Sequence, residues 1–173
     1  MNILGTIIES DIFPNQIPVP SEQYGELRRA VRVVLFDEEK NVALEYYPPK
    51  EAYPNEEYDL PGGGVEGGES MLGALAREVL EEVGCRIKNV RKLGVIKEFG
   101  VGNKIKHAQD SYCFTAEIEG DKGQPQFTER EKQDLVEVRW LRLDEAIKKI
   151  SNQNASFERT RSLMCLESLG LHG

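Results

Sequence analysis

Residues 63–85 read GGVEGGESMLGALAREVLEEVGC, and this stretch decides the fold. Glycines crowd its beginning, which predicts a loop whose backbone approaches other groups closely. Ser70 is a favoured N-cap residue, the apolar residues after it recur at helical spacing up to Val83, and Gly84 is a typical helix stop. The stretch therefore predicts a loop followed by an amphipathic helix that packs on a sheet through one face.

Three carboxylates lie in the last turn and a half of that predicted helix. At about 100° per residue, Glu82 falls about 40° to one side of Glu78 and Glu81 about 60° to the other, at the edge of the apolar stripe. Carboxylates this close repel one another unless a cation neutralises them. Because Mg²⁺ and Mn²⁺ prefer oxygen ligands, the pattern predicts a divalent metal site, with a solvated acidic helix face as the alternative.

The spacing of the fixed residues resembles the Nudix box, G-x5-E-x7-R-E-U-x-E-E-x-G-U, in which U is a large aliphatic residue. Every glycine and charged position of the box is matched, and the matching residues are Gly63, Glu69, Arg77, Glu78, Glu81, Glu82 and Gly84. Cys85 departs from the pattern at the last aliphatic position, which concerns local packing and leaves the chemistry alone. The chain thus resembles the Nudix (MutT-like) hydrolases, and this resemblance implies an α+β or α/β fold, an α/β/α sandwich around a mixed β-sheet.

The resemblance also implies roles for individual residues. Metal ligands would be Glu78, Glu81, Glu82 and the carbonyl of Gly63, while Glu81 and Glu82 are the candidate catalytic carboxylates. Arg77 would pair with Glu69 and tie the loop to the helix. Members often add a carboxylate from the loop before a late strand, and Glu131 is the candidate here, with Glu129 and Asp134 as alternatives. His107 is an alternative base or phosphate contact, although a structural role suits a lone histidine better.

The reaction implied by the resemblance is hydrolysis of a nucleoside diphosphate linked to another group X, with Mg²⁺ or Mn²⁺ as cofactor. A nucleoside triphosphate or a modified nucleotide is the expected substrate, because residues 100–102 lack the proline or tyrosine that marks two other subfamilies. ADP-ribose or a sugar nucleotide is the alternative substrate, and a non-catalytic nucleotide-binding sensor is the alternative class of protein. No substrate-binding residue is assigned, although tyrosines before the box, at positions 46, 47, 53 and 58, could stack a base.

The remaining pattern predicts one domain, 29–173, preceded by an N-terminal extension, 1–28, with an edge strand and extended chain. A β-hairpin is predicted at 29–37 and 42–47, and 120–134 is predicted to be a loop. Further strands are predicted at 90–99, 105–119 and 137–141, and helices at 143–150 and 156–169. This order favours a mixed sheet covered by helices. The extension offers a strand to a second copy, so a homodimer is a candidate assembly.

Composition excludes several other classes of protein. Among 173 residues, 22 are Lys or Arg and 30 are Asp or Glu, which gives a net charge of -8 and argues against nucleic acid as a partner. No apolar run reaches the roughly 18 residues of a membrane helix, and the first residues do not read as a secretory signal, so we expect no membrane partner and a cytoplasmic location. Cys85, Cys113 and Cys165 are odd in number and widely spaced, which predicts buried thiols rather than disulfides or zinc ligands.

Overall fold

The computed structural model describes residues 1–52, 54–102 and 105–172, with side chains up to residue 170. Within these residues the first half contains β1 (Ile3–Ile8), α1 (Glu9–Ile12), β2 (Arg28–Phe36), β3 (Val42–Tyr47), β4 (Glu57–Asp59) and α2 (Met71–Glu82). The second half contains β5 (Arg86–Val101), β6 (His107–Glu119), α3 (Glu129–Gln133), β7 (Glu137–Leu141), α4 (Leu143–Ser151) and α5 (Phe157–Glu167). None of the helices in the described part of the chain is long and apolar enough to cross a membrane.

The strands form one mixed sheet in the order β1-β5-β6-β2-β3-β4, and β7 pairs with β3. The β1–β5 and β2–β6 pairs are parallel, and the other pairs are antiparallel. The predicted hairpin is present, because Phe36 at the end of β2 pairs with Val42 at the start of β3. β1 lies at one edge of the sheet, and its Ile7 is buried in the same core as α5.

Side chains alternate across the sheet and divide the core in two. On β2, Val31, Val33 and Leu35 belong to the core that α2 covers, whereas Val34 belongs to the core that α4 and α5 cover. Period-two alternation with both faces buried is the pattern of a central strand between two helical layers. The α/β/α sandwich around a mixed sheet, as expected from the sequence, is therefore confirmed.

The structure adds elements that the sequence analysis did not predict. The interval 120–134 is not all loop, because α3 begins after Thr128, whose side chain accepts a hydrogen bond from the backbone N–H of Glu131. Glu131 in turn accepts a hydrogen bond from the backbone N–H of Thr128, at 2.6 Å. This capping box, Thr-x-x-Glu, is visible in the sequence and satisfies two donors at the helix start.

The expectation of three buried thiols is wrong for two of them. Cys113 of β6 and Cys165 of α5 form a disulfide, with their Cα atoms 6.2 Å apart, and Cys85 remains a buried free thiol. The two half-cystines are 52 residues apart in the chain. Their proximity arises because α5 packs on the face of the sheet toward which Cys113 points. The spacing of cysteines along the sequence does not predict that packing.

Candidate active site

The site is built around α2 and the glycine loop before it. Ser70 begins the helix as predicted, because its Oγ accepts a hydrogen bond from the N–H of Gly73 at 3.0 Å. Leu75 and Val79 are fully buried against the sheet, which fixes the rotation of α2 about its axis. That rotation directs the acidic edge of the helix toward the glycine loop, where Glu78 lies beside Gly63 and Glu82 meets Gly62.

The glycine loop runs back along β2. The N–H of Val31 donates to the carbonyl of Gly63 at 2.9 Å, and the N–H of Val33 donates to the carbonyl of Pro61 at 3.0 Å. Gly62 has a φ of 141°, and a Cβ there would collide with the backbone of Val31. These contacts show that the loop needs glycine in order to approach the strand closely.

Arg77 joins the loop to the helix. Its Nε and Nη2 donate to the two carboxylate oxygens of Glu69 at 3.0 and 3.1 Å, and Nη2 also donates to the carbonyl of Gly64 at 3.0 Å. Nη1 donates to Glu78 at 2.8 Å and lies 3.4 Å from Glu81. The hydrogen bonds that Arg77 donates to Glu69, and then the one it donates to Glu78, raise the pKa of Arg77, so the guanidinium stays charged. The pairing of Arg77 with Glu69 is the one that the Nudix resemblance implies.

The three box carboxylates differ in their surroundings. Glu78 is buried and lies so close to Gly63 that a Cβ on that glycine would overlap its carboxylate. Glu82 is half-buried, and one of its oxygens accepts a hydrogen bond from the N–H of Gly62 at 2.7 Å. Glu81 is the most open, with 47% of its side chain exposed. The structure thus places Glu78 and Glu82 under the glycine loop and Glu81 at the rim.

A fourth carboxylate, which the sequence analysis missed, lies beside Glu82. Glu45 of β3 is buried, and within the described residues it forms a group with Glu82 and Glu131 in which one oxygen of each lies within 4.8 Å of the others. Glu78 and Glu81 are not members of this group. The signal that could have identified Glu45 is a charged residue in the apolar strand sequence VALEYY.

Burial and like charge disturb the titration of these carboxyl groups. Burial is the main cause that raises the pKa of Glu82 to about 8, and the charge of Glu78 adds to it, while the Gly62 hydrogen bond and Arg32 oppose it. Burial, followed by the charges of Glu82 and Asp59, raises the pKa of Glu45 well above its usual value. Carboxylates held in this way are poorly satisfied by the protein alone.

The residues present fit a hard divalent cation. Several carboxylate oxygens converge, and the buried Oε1 of Glu45 has no hydrogen-bond partner among the described residues. Arg32 is a half-buried cation whose charge acts on Glu45 and Glu82, but its identified hydrogen bond runs to the carbonyl of Val31. A carboxylate-rich, partly open site of this kind suits Mg²⁺ or Mn²⁺ better than a softer metal.

Other residues singled out from the sequence lie outside this group of carboxylates. Glu129 pairs with Lys132, and Asp134 pairs with Lys50, so Glu131 is the residue of the predicted loop that reaches the acidic group. The Nδ1 of His107 lies 3.3 Å from the carbonyl of Glu26.

The tyrosines before the box have different environments. Tyr46 and Tyr58 pack together in the core with ring centroids 5.1 Å apart, and Arg139 stacks on Tyr46. Tyr47 lines a cavity of about 500 Å³, while Tyr53 lies outside the described residues. Tyr58 lines the same cavity but is buried, so Tyr47 is the least buried of the three described rings.

Comparison with known proteins identifies the family. The NUDIX domain model matches residues 26–161, which is most of the chain, and the protein therefore belongs to the Nudix family. Among solved structures, a NUDIX hydrolase from Nitrosomonas europaea has a TM-score of 0.64 at 18% identity, covering 85% of this chain and 90% of its own. A search of curated proteins finds no match.

Two MutT structures show the same fold. One structure comes from a study of MutT from Aliivibrio salmonicida and Vibrio cholerae. It has a TM-score of 0.56 at 15% identity and covers 84% of this chain and 99% of its own. MutT from Methanosarcina mazei Go1 has a TM-score of 0.55 at 17% identity, covering 83% and 95%. With the family match, they support a Nudix hydrolase enzyme. Nudix hydrolases generally cleave pyrophosphate bonds in nucleoside diphosphate derivatives, act on small nucleotides and use divalent metals.

Proposed function

We propose that this protein is a metal-dependent hydrolase that cleaves a pyrophosphate bond in a nucleoside diphosphate linked to another group, with Mg²⁺ as the cofactor and Mn²⁺ as a substitute. The observation that carries this proposal is the partly buried convergence of carboxylates at Glu82, which the described protein groups leave undercompensated. An enzyme that binds an anionic substrate with a carboxylate-rich site needs a cation between the two.

The box residues would divide the work as follows. Glu78, Glu82 and the carbonyl of Gly63 would hold the cation, and the carbonyl keeps one lone pair beyond its hydrogen bond with Val31. A bound divalent cation polarises phosphoryl oxygens and lowers the pKa of coordinated water. Glu81 is open to solvent and only loosely held by Arg77, so it can serve as a ligand or accept the proton of the attacking water.

The preferred substrate is a nucleoside triphosphate or a modified nucleotide. Tyr47 lines an open cavity with Asp59, the residue two before Pro61 of the glycine loop, so a base stacked there would lie near the site. ADP-ribose or a sugar nucleotide remains the second candidate, because such hydrolases often carry an N-terminal extension like residues 1–28. Cytoplasmic location, a homodimer and a domain that begins at residue 29 stay predictions.

Glu82→Gln tests the metal-dependent reaction. We expect turnover of nucleoside triphosphates to require Mg²⁺ or Mn²⁺ and to fall at least about 100-fold in this variant, because a ligand that stabilises transition-state charge is lost. The matched control is Glu145→Gln, an exposed carboxylate of α4, which should keep wild-type turnover. Normal turnover by Glu82→Gln would rule out its assignment as a ligand.

A comparison of kcat/KM values tests the substrate class. Canonical and oxidised nucleoside triphosphates should be hydrolysed with higher kcat/KM than ADP-ribose. A clear advantage for ADP-ribose would overturn the substrate preference and leave the hydrolase proposal intact. Nucleotide binding without hydrolysis of any member of the panel would instead favour the sensor.

A further inference from the structure

Glu45 is unusual because it is a charged side chain in the middle of a buried strand. It is 4% exposed, and its Oε1 receives no hydrogen bond from the part of the chain that the structure describes. An isolated carboxylate in such a place is strongly destabilising, because it has lost its hydration and gained no partner. The protein therefore either protonates this group or supplies a cation to it.

Arg32 is a cation of the protein near Glu45, but its charge is shared among several carboxylates. Arg32 is half-buried, and its charge acts on Glu45, Glu82 and Asp59. Its Nη1 donates to the carbonyl of Val31, and its Nε is itself without a partner among the described residues. One guanidinium thus faces several carboxylates and makes no identified hydrogen bond to Glu45.

The surroundings of Glu45 supply two further carboxylates. One oxygen each from Glu45, Glu82 and Glu131 can be chosen so that all lie within 4.8 Å of one another. Glu45 is held rigidly because β3 pairs with β4 through Asp59 and with β7 through Val138 at that position. A ligand on a strand paired on both sides needs little reorganisation when a cation binds.

We propose that Glu45 is a metal ligand, and that it forms with Glu82 and Glu131 a divalent-cation site on the β3 side of Glu82. This position is separate from the one beside Glu78 and Gly63, and Glu82 contributes to both. The inference rests on the proposed metal-dependent function, which it extends by a ligand on β3 that lies outside the Nudix box. The expected ion is one that accepts carboxylate and water oxygens, such as Mn²⁺ or Mg²⁺.

Titration of the nucleotide-free protein with Mn²⁺ tests this site without relying on activity. Free Mn²⁺, measured by electron paramagnetic resonance, should show two bound ions in the wild type and one in Glu45→Gln, or at least about tenfold weaker binding at one site. Glu137→Gln is the matched control, because Glu137 is an exposed carboxylate on neighbouring β7 that pairs with Arg139. Its binding curve should equal that of the wild type.

Thermal unfolding without metal shows whether the variant is folded. Glu45→Gln should melt at or above the wild-type temperature, because an unpaired buried charge is removed, and its Mn²⁺-induced shift should shrink. Glu131→Gln removes the third ligand from α3 and should cause the same loss of Mn²⁺, so it replaces Glu45→Gln if that protein does not fold.

The possible failures are distinguishable. If Glu45→Gln, or Glu131→Gln in its place, binds Mn²⁺ with wild-type stoichiometry and affinity while Glu82→Gln does not, this inference is overturned and the proposed function stands. If the wild type binds no Mn²⁺, the metal-dependent function itself fails and the inference fails with it.

Discussion

At the scale of single residues, Gly63 shows why a side chain is excluded from the loop. A Cβ at this position would overlap the carboxylate of Glu78, whereas a Cβ at Gly64 would meet nothing within 4 Å. Gly63→Ala must therefore displace either the loop or the carboxylate. Because small misplacements of catalytic groups are costly, we expect turnover to fall about 100-fold, measured as kcat with a nucleoside triphosphate.

Gly64→Ala is the matched control for that prediction. It adds the same methyl group one residue later in the same loop, in open space, and should retain turnover within a few-fold of wild type. Equal losses in the two variants would mean that general stiffening of the loop matters and that contact with Glu78 does not.

The surroundings of Asp37, directly after β2, predict that the stability of the fold depends on pH. Its carboxylate accepts hydrogen bonds from Lys122 at 2.7 Å and from the backbone N–H of Asn41 at 2.8 Å. Burial opposes ionisation, but the hydrogen bonds from Lys122 and Asn41 outweigh it and lower the pKa of Asp37. A lowered folded-state pKa means that this carboxylate stabilises the fold above its unfolded pKa, near 3.9, and that the stabilisation is lost as pH falls through the folded value.

Asp37→Asn should therefore lower the free energy of unfolding by about 1 to 2 kcal/mol at pH 7. The difference from wild type should shrink below about pH 4, where the wild-type carboxyl also becomes neutral. Urea denaturation at a series of pH values measures both effects. The control is Glu119→Gln, an exposed carboxylate at the end of β6, which should change stability little at any pH. A pH-independent deficit in Asp37→Asn would contradict the ionic explanation.

At the scale of elements, α2 carries most of the predicted site, and its first turn depends on Ser70. Ser70→Ala removes the acceptor for the N–H of Gly73 and should cost about 1 kcal/mol of unfolding free energy in chemical denaturation. Ser151→Ala is the control, because that hydroxyl donates to the carbonyl of Ile147 within α4 and caps no N-terminus. If both variants lost the same stability, the cap would explain nothing.

The sequence predicted those elements whose information is local. The periodicity of residues 70–83 places α2 correctly, and the relative placement of Glu78 and Glu82 follows from one helical turn. Glu45 could not be placed in this way, because its contact with Glu82 depends on how β3 packs beside α2. The Cys113–Cys165 disulfide was missed for the same reason, since it joins a strand to a helix across 52 residues. Local sequence pattern predicts individual helices and strands. Contacts between elements distant in the sequence can be identified only from the assembled sheet.

At the scale of the whole molecule, a single sheet is shared by two helical layers. Residues of β2 alternate between the core under α2 and the core under α5. Loss of either helical layer would therefore expose one face of the sheet that the other layer also packs on. Such shared burial favours one cooperative unfolding transition. It also means that α5, which lacks Nudix box residues, helps to hold the strands on which the site is built.

The main polar link between α5 and the sheet is Arg161. Its Nη1 donates to Glu98 of β5 at 3.0 Å, its Nη2 lies 3.6 Å from Asp59 of β4, and both Arg161 and Glu98 are almost completely buried. A buried pair of this kind adds little net stability over an apolar replacement, but removal of one partner leaves an uncompensated buried charge. The two outcomes can be separated by single and double substitutions.

Arg161→Ala should lower the free energy of unfolding by about 3 to 5 kcal/mol, because the carboxylate of Glu98 then remains buried without its cation. Arg142→Ala, which breaks the exposed pair with Asp144, should cost less than about 1 kcal/mol. The double variant Arg161→Met with Glu98→Gln should recover part of the loss, since it removes both charges and keeps an apolar side chain in the space. Urea denaturation measures all three, and a loss in Arg161→Ala as small as that in Arg142→Ala would show that water reaches Glu98 and that the pair does not hold α5 to the sheet.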